Sequence, residues 1–181
     1  MQRRFFIMPE FKAMELVAEL MAIAARTAPK AGGKDFIELK ILQGDSLEQL
    51  AIAMTRYGQE KGKKNFDRDG ENVRRSDAVL LVGLKKAAKA GLDCGACGAA
   101  RCADLEGPHE GPEFAGPICA WRLIDLGIAL GSAAKTAGIL NVDNRVMYRI
   151  GVVARKTGLM DAEVIAGIPI SATGKNIYFD R

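Results

Sequence analysis

Apolar residues recur at two different periods along this chain, and the alternation of those periods predicts its elements. After Pro9, residues Met14, Val17, Leu20, Met21 and Ala24 return at helical spacing until APKAGG interrupts, which predicts a first helix with Pro9 in its first turn. DFIELKIL then sets Ile37, Leu39 and Ile41 against Phe36, Glu38 and Lys40, a period of two that predicts a strand. A second amphipathic helix is expected over SLEQLAIAMTRYGQEKG, capped by Asp45 with Glu48 in its first turn, and with an apolar face of Leu47, Leu50, Ala51 and Met54. KGKKNFDRDG reads as a solvated loop, and DAVLLVGL, an unbroken apolar run of strand length, as a central strand covered on both faces.

Between Asp93 and Cys119 the breakers Pro108, Gly111, Pro112, Gly116 and Pro117 exclude a regular element, so a long loop with its own organising agent is expected. ICAWRLIDLGIALGSAAKTAG reads as a long helix entered at Pro117 and ended by Gly138. Its Gly127, Ala129, Gly131, Ser132, Ala133 and Ala134 are small enough to let another element approach. DNRVMYRIGVVARKTG is read as a helix capped by Asp143 or Asn144 and stopped by Gly158, AEVIAG as a short helix capped by Asp161, and IPISATGKNIYFDR as a closing strand and polar turn. With no internal repeat in 181 residues, the expected organisation is a single domain over 1–181 carrying an inserted cysteine-rich loop at 93–119.

Composition narrows the function classes. Hydrophobic residues at 49% and charged residues at 27% describe a chain that folds throughout. A net charge of +4, with seven Phe, three Tyr and one Trp, is too little basic and stacking surface for a nucleic-acid binder. Glu10, Lys12, Glu15 and Glu19 interrupt the apolar start, so neither an export signal nor a membrane span is expected and the protein reads as cytoplasmic. In that compartment cysteines stay reduced unless they bind something.

All four cysteines, Cys94, Cys97, Cys102 and Cys119, fall in one window with the spacing Cys-x2-Cys-x4-Cys-x16-Cys. Four thiolates hold either an iron-sulfur cluster or a tetrahedral zinc, and a dithiol pair is the third reading. Zinc commonly uses two separated two-cysteine knuckles, whereas three ligands in CGACGAARC with one distant cysteine lean to the cluster. Gly95 and Gly98 let the backbone turn tightly after two of the cysteines, Cys119 is expected in the first turn of a helix whose dipole favours a thiolate, and Arg101 and Arg122 add positive charge. His109, the only histidine, lies in the loop as a substitute ligand or a solvated side chain, and it leaves Ser132 and Ser171 without a triad partner. Asp125, a charge within an apolar helix, reads as an anchor to a buried partner.

GLDCGACGAARCAD, GPICAWRLIDLGIALGSAAKTAG, VDNRVMYRIGVVARK, IPISATGKNIYFDR and the earlier AARTAPKAGGKD together resemble the uncharacterised ferredoxin-domain proteins of bacteria and archaea. The cysteine window is similar to the 4Fe-4S domain of corrinoid iron-sulfur proteins and Rnf-type electron-transport subunits, which implies Cys94, Cys97, Cys102 and Cys119 as four cluster ligands. The frame resembles the nitroreductases, which are flavin-binding homodimers, and this implies an α+β fold with a nitroreductase-like mixed β-sheet flanked by helices. Ala28 and Pro29 match the start of that family's flavin loop. Lys30 replaces its serine, Gly33 and Asp35 fall near its asparagine and glutamine, and its Arg-x-Ser-x-Arg element is absent, with only Arg3 and Arg4 near the start. Should FMN be held, Arg26, Lys30, Lys34, Lys175 and Arg181 are the candidates for its phosphate.

The expectation is therefore an iron-sulfur electron-transfer protein, with FMN as a further cofactor of a flavin-linked oxidoreductase. It would work with a redox partner protein or a small-molecule electron acceptor, as a homodimer by fold analogy. The rival is a scaffold protein stapled by a four-cysteine zinc site.

Overall fold

The structure, a computed structural model, describes residues 10–179; Arg3, Arg4, Pro9 and Arg181 lie outside them. In chain order the elements are α1 (Glu10–Thr27), β1 (Ile37–Leu42), α2 (Asp45–Lys61), α3 (Phe66–Arg74), β2 (Ala78–Leu84), β3 (His109–Glu110), β4 (Ala115–Gly116), α4 (Ala120–Ile139), β5 (Asp143–Asn144), α5 (Tyr148–Lys156) and β6 (Val164–Ser171). Four strands form one sheet in the order β1-β2-β6-β5, and β3 pairs with β4 in a small separate hairpin. Each pairing is antiparallel.

Period-two alternation on β2 feeds two cores. Val79 and Leu81 join Leu50, Met54, Ile150 and Val153 beneath α2, α3 and α5, while Leu80, Val82 and Leu84 join Met21, Ala129 and Ala133 beneath α1 and α4. The expected α+β sheet flanked by helices is present, and DAVLLVGL is its doubly covered strand, buried along its whole length. Alanines at 129, 133 and 137 of α4, each fully buried, let α1 lie close alongside.

Several local expectations are corrected by tertiary contacts. KGKKNFDRDG does not stay a loop: α3 forms because Phe66 packs on Gly58, and Gly70 backs onto the Ala51 carbonyl, where a Cβ would sit 3.0 Å away. Gly44, not Asp45, precedes α2; Asp45 and Glu48 both lie in its first turn, and the Ser46 hydroxyl instead accepts the Gln43 N–H at 3.0 Å. Asp143 and Asn144 pair with Ser171 and Ile170 as β5 rather than capping a helix, so α5 starts at Tyr148. AEVIAG is not a helix, because Val164–Ser171 completes the ladder against β2. Asp161 pairs with Lys85 at 3.2 Å. Glycine makes the α5–β6 approach feasible: a Cβ at Gly151 would stand 1.7 Å from the Ile165 carbonyl oxygen.

The segment after β6 folds back at the sheet end remote from the cysteines. Asn176 donates to Asp143 at 2.9 Å, Arg145 donates to the Tyr178 carbonyl at 2.8 Å, and Ile177 and Tyr178 enter the α2–α3–α5 core. Ser76 Oγ donates to the Asn72 carbonyl at 2.7 Å, so at 2.9 Å it accepts from the Tyr178 hydroxyl. Burial outweighs the Ser171 and Ser76 hydroxyls beside it and pushes the Tyr178 phenol up to about 12. The fold thus favours the neutral phenol, and that stability is complete below the ordinary tyrosine pKa and lost as pH rises through about 12. Tyr178→Phe should be less stable at pH 8 by about 1 kcal/mol for the lost hydrogen bond. That deficit should shrink between pH 10 and 12 in urea unfolding followed by Trp121 fluorescence, and a deficit that stays constant would contradict the assignment.

Candidate functional site

The first turn of α4 gathers the chemistry. Cys119 stands just before the helix rather than inside it, with extended backbone at φ −53°, ψ 127°, and its carbonyl accepts the N–H groups of Arg122 at 2.9 Å and Leu123 at 3.2 Å. Its thiol is buried at the positive end of the helix dipole, and a cavity of ≈ 50 Å³ adjoins it between Leu105, Pro108, Ile118 and Glu163. From the outer side of the same turn, the Trp121 indole N–H donates to Cys94 Sγ at 3.2 Å.

The loop that carries the other cysteines is closed on itself by Asp93. This residue adopts φ 45°, its N–H donates to Cys102 Sγ at 3.4 Å, and its carboxylate accepts the Cys102 N–H at 2.6 Å. Inside that ring Gly95 and Gly98 take φ of 73° and 90°, and the Gly98 N–H meets the Gly95 carbonyl at 2.9 Å. The Ala96 backbone N–H, and next the Trp121 indole, hold the Cys94 thiol below its ordinary pKa. All four cysteines are free thiols; Cys94 is exposed, Cys97 and Cys102 are half-buried, and Cys119 is buried. Among the described residues no three His, Cys, Asp or Glu side chains are grouped so as to hold a metal ion. His109 stands exposed in β3, opposite Gly116.

The charges named from the sequence are distributed differently. Arg101 pairs with Asp104 at 2.8 Å on the surface, whereas Arg122 is buried and pairs with Asp125 at 2.9 Å, so the expected anchoring role of Asp125 has its partner. Of the candidates for a flavin phosphate, Arg26, Lys30 and Lys34 lie at the end of α1 near this turn. Arg26 is bound to Asp35 at 2.6 Å and to the Ile37 carbonyl at 2.7 Å. Burial pushes Asp35 up, but Arg26 and the Ile37 N–H hold it below the usual carboxylate range. Lys30, its side chain only 4% exposed, donates to the Ala25 carbonyl at 2.8 Å and to the Arg26 carbonyl, so it caps α1. Burial lowers its pKa against the pull of Asp35. Lys175 sits beyond β6, at the opposite end of a β2–β6 ladder about 20 Å long at ~3.3 Å per residue. Within this chain Lys175 therefore lies apart from Arg26, Lys30 and Lys34. Two site residues escaped the sequence reading, Asp93 and Trp121; the signals were a carboxylate directly before the first cysteine and the sole tryptophan two residues after the last.

Among the described residues no helix is long and apolar enough to cross a membrane. A protein of Archaeoglobus fulgidus described only as an uncharacterized protein is 47% identical over 171 residues, which spans 94% of this chain and 92% of that one. The nitroreductase CinD from Lactococcus lactis, in complex with nicotinic acid, superposes with a TM-score of 0.58 at 16% identity over 92% of this chain and 84% of its own. A crystal structure of an oxidoreductase containing FMN superposes with a TM-score of 0.54 at 15% identity over 96% and 80%. At these identities the likeness is one of fold, and the fold is nitroreductase-like. Residues 115–181, which include Cys119 but not the other three cysteines, match the family described as an uncharacterized protein containing a ferredoxin domain. With the archaeal relative aligned over nearly its whole length, the chain belongs to this family of ferredoxin-domain proteins.

Proposed function

We propose that this protein transfers electrons through a 4Fe-4S cluster ligated by Cys94, Cys97, Cys102 and Cys119. The observation that carries the reading is a pair of N–H groups aimed at two of these sulfurs, the Trp121 indole at Cys94 and the Asp93 amide at Cys102. Donors of this kind stabilise electron-rich sulfur and, at a cluster, tune its potential. A cluster exchanges single electrons. The chain's own residues supply the setting: α4 presents Cys119 from the core, Asp93 holds the ring around Cys102, and exposed Cys94 with Trp121 offers an edge to a redox partner protein or a small-molecule acceptor. Free thiols suit a reducing compartment, which supports a cytoplasmic location.

Anaerobic purification followed by visible absorption and metal analysis tests this. Iron with acid-labile sulfide is expected; zinc without colour would sink it in favour of the stapled scaffold. Cys119→Ser should lower metal affinity at least about tenfold, since even residues behind a ligand count for that much, and full retention would mean a different ligand set. FMN is carried by neighbours in fold. On this chain Arg26, Lys30 and Lys34 stand nearest the cysteine end, and a yellow chromophore released on denaturation would assign a flavin-linked oxidoreductase.

The homodimer has a candidate face. α1 and α4 each carry a second, outward apolar stripe, Leu16, Leu20 and Ile23 on one and Ile124, Ile128 and Ile139 on the other, all exposed. At Gly127 and Gly131 of α4 an added Cβ would meet open space, so a second backbone has room to approach. Exposed apolar stripes on two adjacent helices are a place where a second copy would pack. Sedimentation should show a dimer that Ile128→Glu converts to a folded monomer. A variant that remains dimeric removes this face, and a monomeric parent removes the dimer.

A further inference from the structure

Arg122 and Asp125 lie one turn apart on the face of α4 that begins at Cys119, and both are buried, at 1% and 3% exposure. Their contacts leave the helix toward two segments far apart in sequence. Arg122 Nε donates to the Ala88 carbonyl at 2.7 Å, in the segment that leads from β2 into the cysteine loop. Its second arm donates to the Ala31 carbonyl and to Asp125, each at 2.9 Å, and reaches the Lys34 carbonyl at 3.5 Å. Asp125 accepts the Ala31 N–H at 2.8 Å, and the guanidinium lies over the Phe36 ring, 4.8 Å from its centroid.

A charge this deep persists only where partners replace its water. Here most of those partners are backbone groups, so the guanidinium is satisfied only while both segments keep their places. Helical side chains lean toward the N-terminus, which lays Arg122 over the Cys119 turn and leaves Asp125 one turn deeper.

We infer that Arg122 is a positioning residue that couples the cysteine loop to the 31–34 turn, so that order imposed on one is passed to the other through a single guanidinium. For its trigger, and only for that, the inference rests on the cysteines being metal ligands. A metal drawn in between Cys94, Cys97, Cys102 and Cys119 holds the loop and with it Ala88; Ala88 holds Arg122, and Arg122 with Asp125 holds Ala31. Coupling of this kind acts in both directions.

Hydrogen exchange read by mass spectrometry on the full chain tests it, before and after anaerobic reconstitution with ferrous iron and sulfide. In the parent, loading should slow exchange over 31–36 as well as over 88–102, by about tenfold at the remote turn, a usual size for coupled sites. Arg122→Lys keeps a charge opposite Asp125 but lacks the fork that spans Ala88 and Ala31. It should retain the protection at 94–102 and lose it at 31–36. Ala31→Pro supplies a second variant: it deletes only the N–H that Asp125 accepts, and Lys30, with φ −126° and ψ 147°, already has the backbone that precedes proline. It should weaken the transfer without touching Arg122. A residue that merely held the fold together would alter protection in both segments equally, and transfer that survives in both variants overturns the coupling. Should the parent retain no iron, the electron-transfer reading fails, and the metal-free protein decides the clamp. Ala31→Pro, which alters only the 31–34 side, must then speed exchange around Ala88 as well; a rise confined to 31–36 overturns the inference.

Discussion

Backbone pairs from Ala78–Ile170 to Leu84–Val164 join β2 to β6, and both strands are covered on both faces. Polar backbone buried on two sides has to be paired along its length, so this ladder fixes what surrounds it. One end of it delivers Leu84 into the cysteine loop, and the other takes up β5 and the segment that returns through Tyr178. Helices can reach such a sheet only where side chains are small enough, which is why Gly151 lies against the Ile165 carbonyl and why alanines line the inner face of α4. Once α4 is seated, the core sets the position of Cys119, and Leu105 and Pro108 of the loop lie against it.

The elements legible in the sequence were those whose pattern matches their burial. DAVLLVGL, the face Leu47–Leu50–Ala51–Met54 and the alternation in DFIELKIL all announced which core they enter, because their neighbours along the chain repeat the same demand. The misread ones depend on distant partners. Phe66 is the only large apolar residue in KGKKNFDRDG, and α3 needs Gly58 and Ala51 from another helix to become favourable. Asp143 looks like a cap until Ser171 arrives as its strand partner, and VIAGIP is ambiguous until β2 offers it a ladder.

The same division runs through the site. Four cysteines at that spacing were visible at once, and so was Asp125 as a charge requiring a partner. Which basic residues remain available could not be read locally, because carbonyl acceptors carry no sequence signature. Lys30 closes the end of α1, Arg26 is occupied by Asp35 and the Ile37 carbonyl, and Arg122 spends its fork on Ala31, Ala88 and Asp125. Lysines and arginines near a helix C-terminus are drawn to its unpaired carbonyls before any ligand is present. Of these three, only Arg26 keeps its side chain substantially exposed, at 49%.

The unequal burial of the cysteines has a physical consequence for how such a loop is organised. Cys119 is fixed by a helix that packs on the sheet, whereas Cys94, Cys97 and Cys102 sit in a short ring held by Asp93 and by one indole bond. A segment running from Lys85 to Ile118 with little regular structure carries a closure entropy that grows only slowly with its length. Each internal tie therefore matters less for the length it removes than for the thiols it brings near the fixed one. The Ala88–Arg122 bond draws the start of the segment toward α4, the Asp93–Cys102 ring keeps three thiols in one compact turn, and Trp121 sets that turn beside the helix entrance. All three ties act on the same few residues, so the shape of the segment is set less by its length than by where they anchor it, on a helix whose seat the sheet determines.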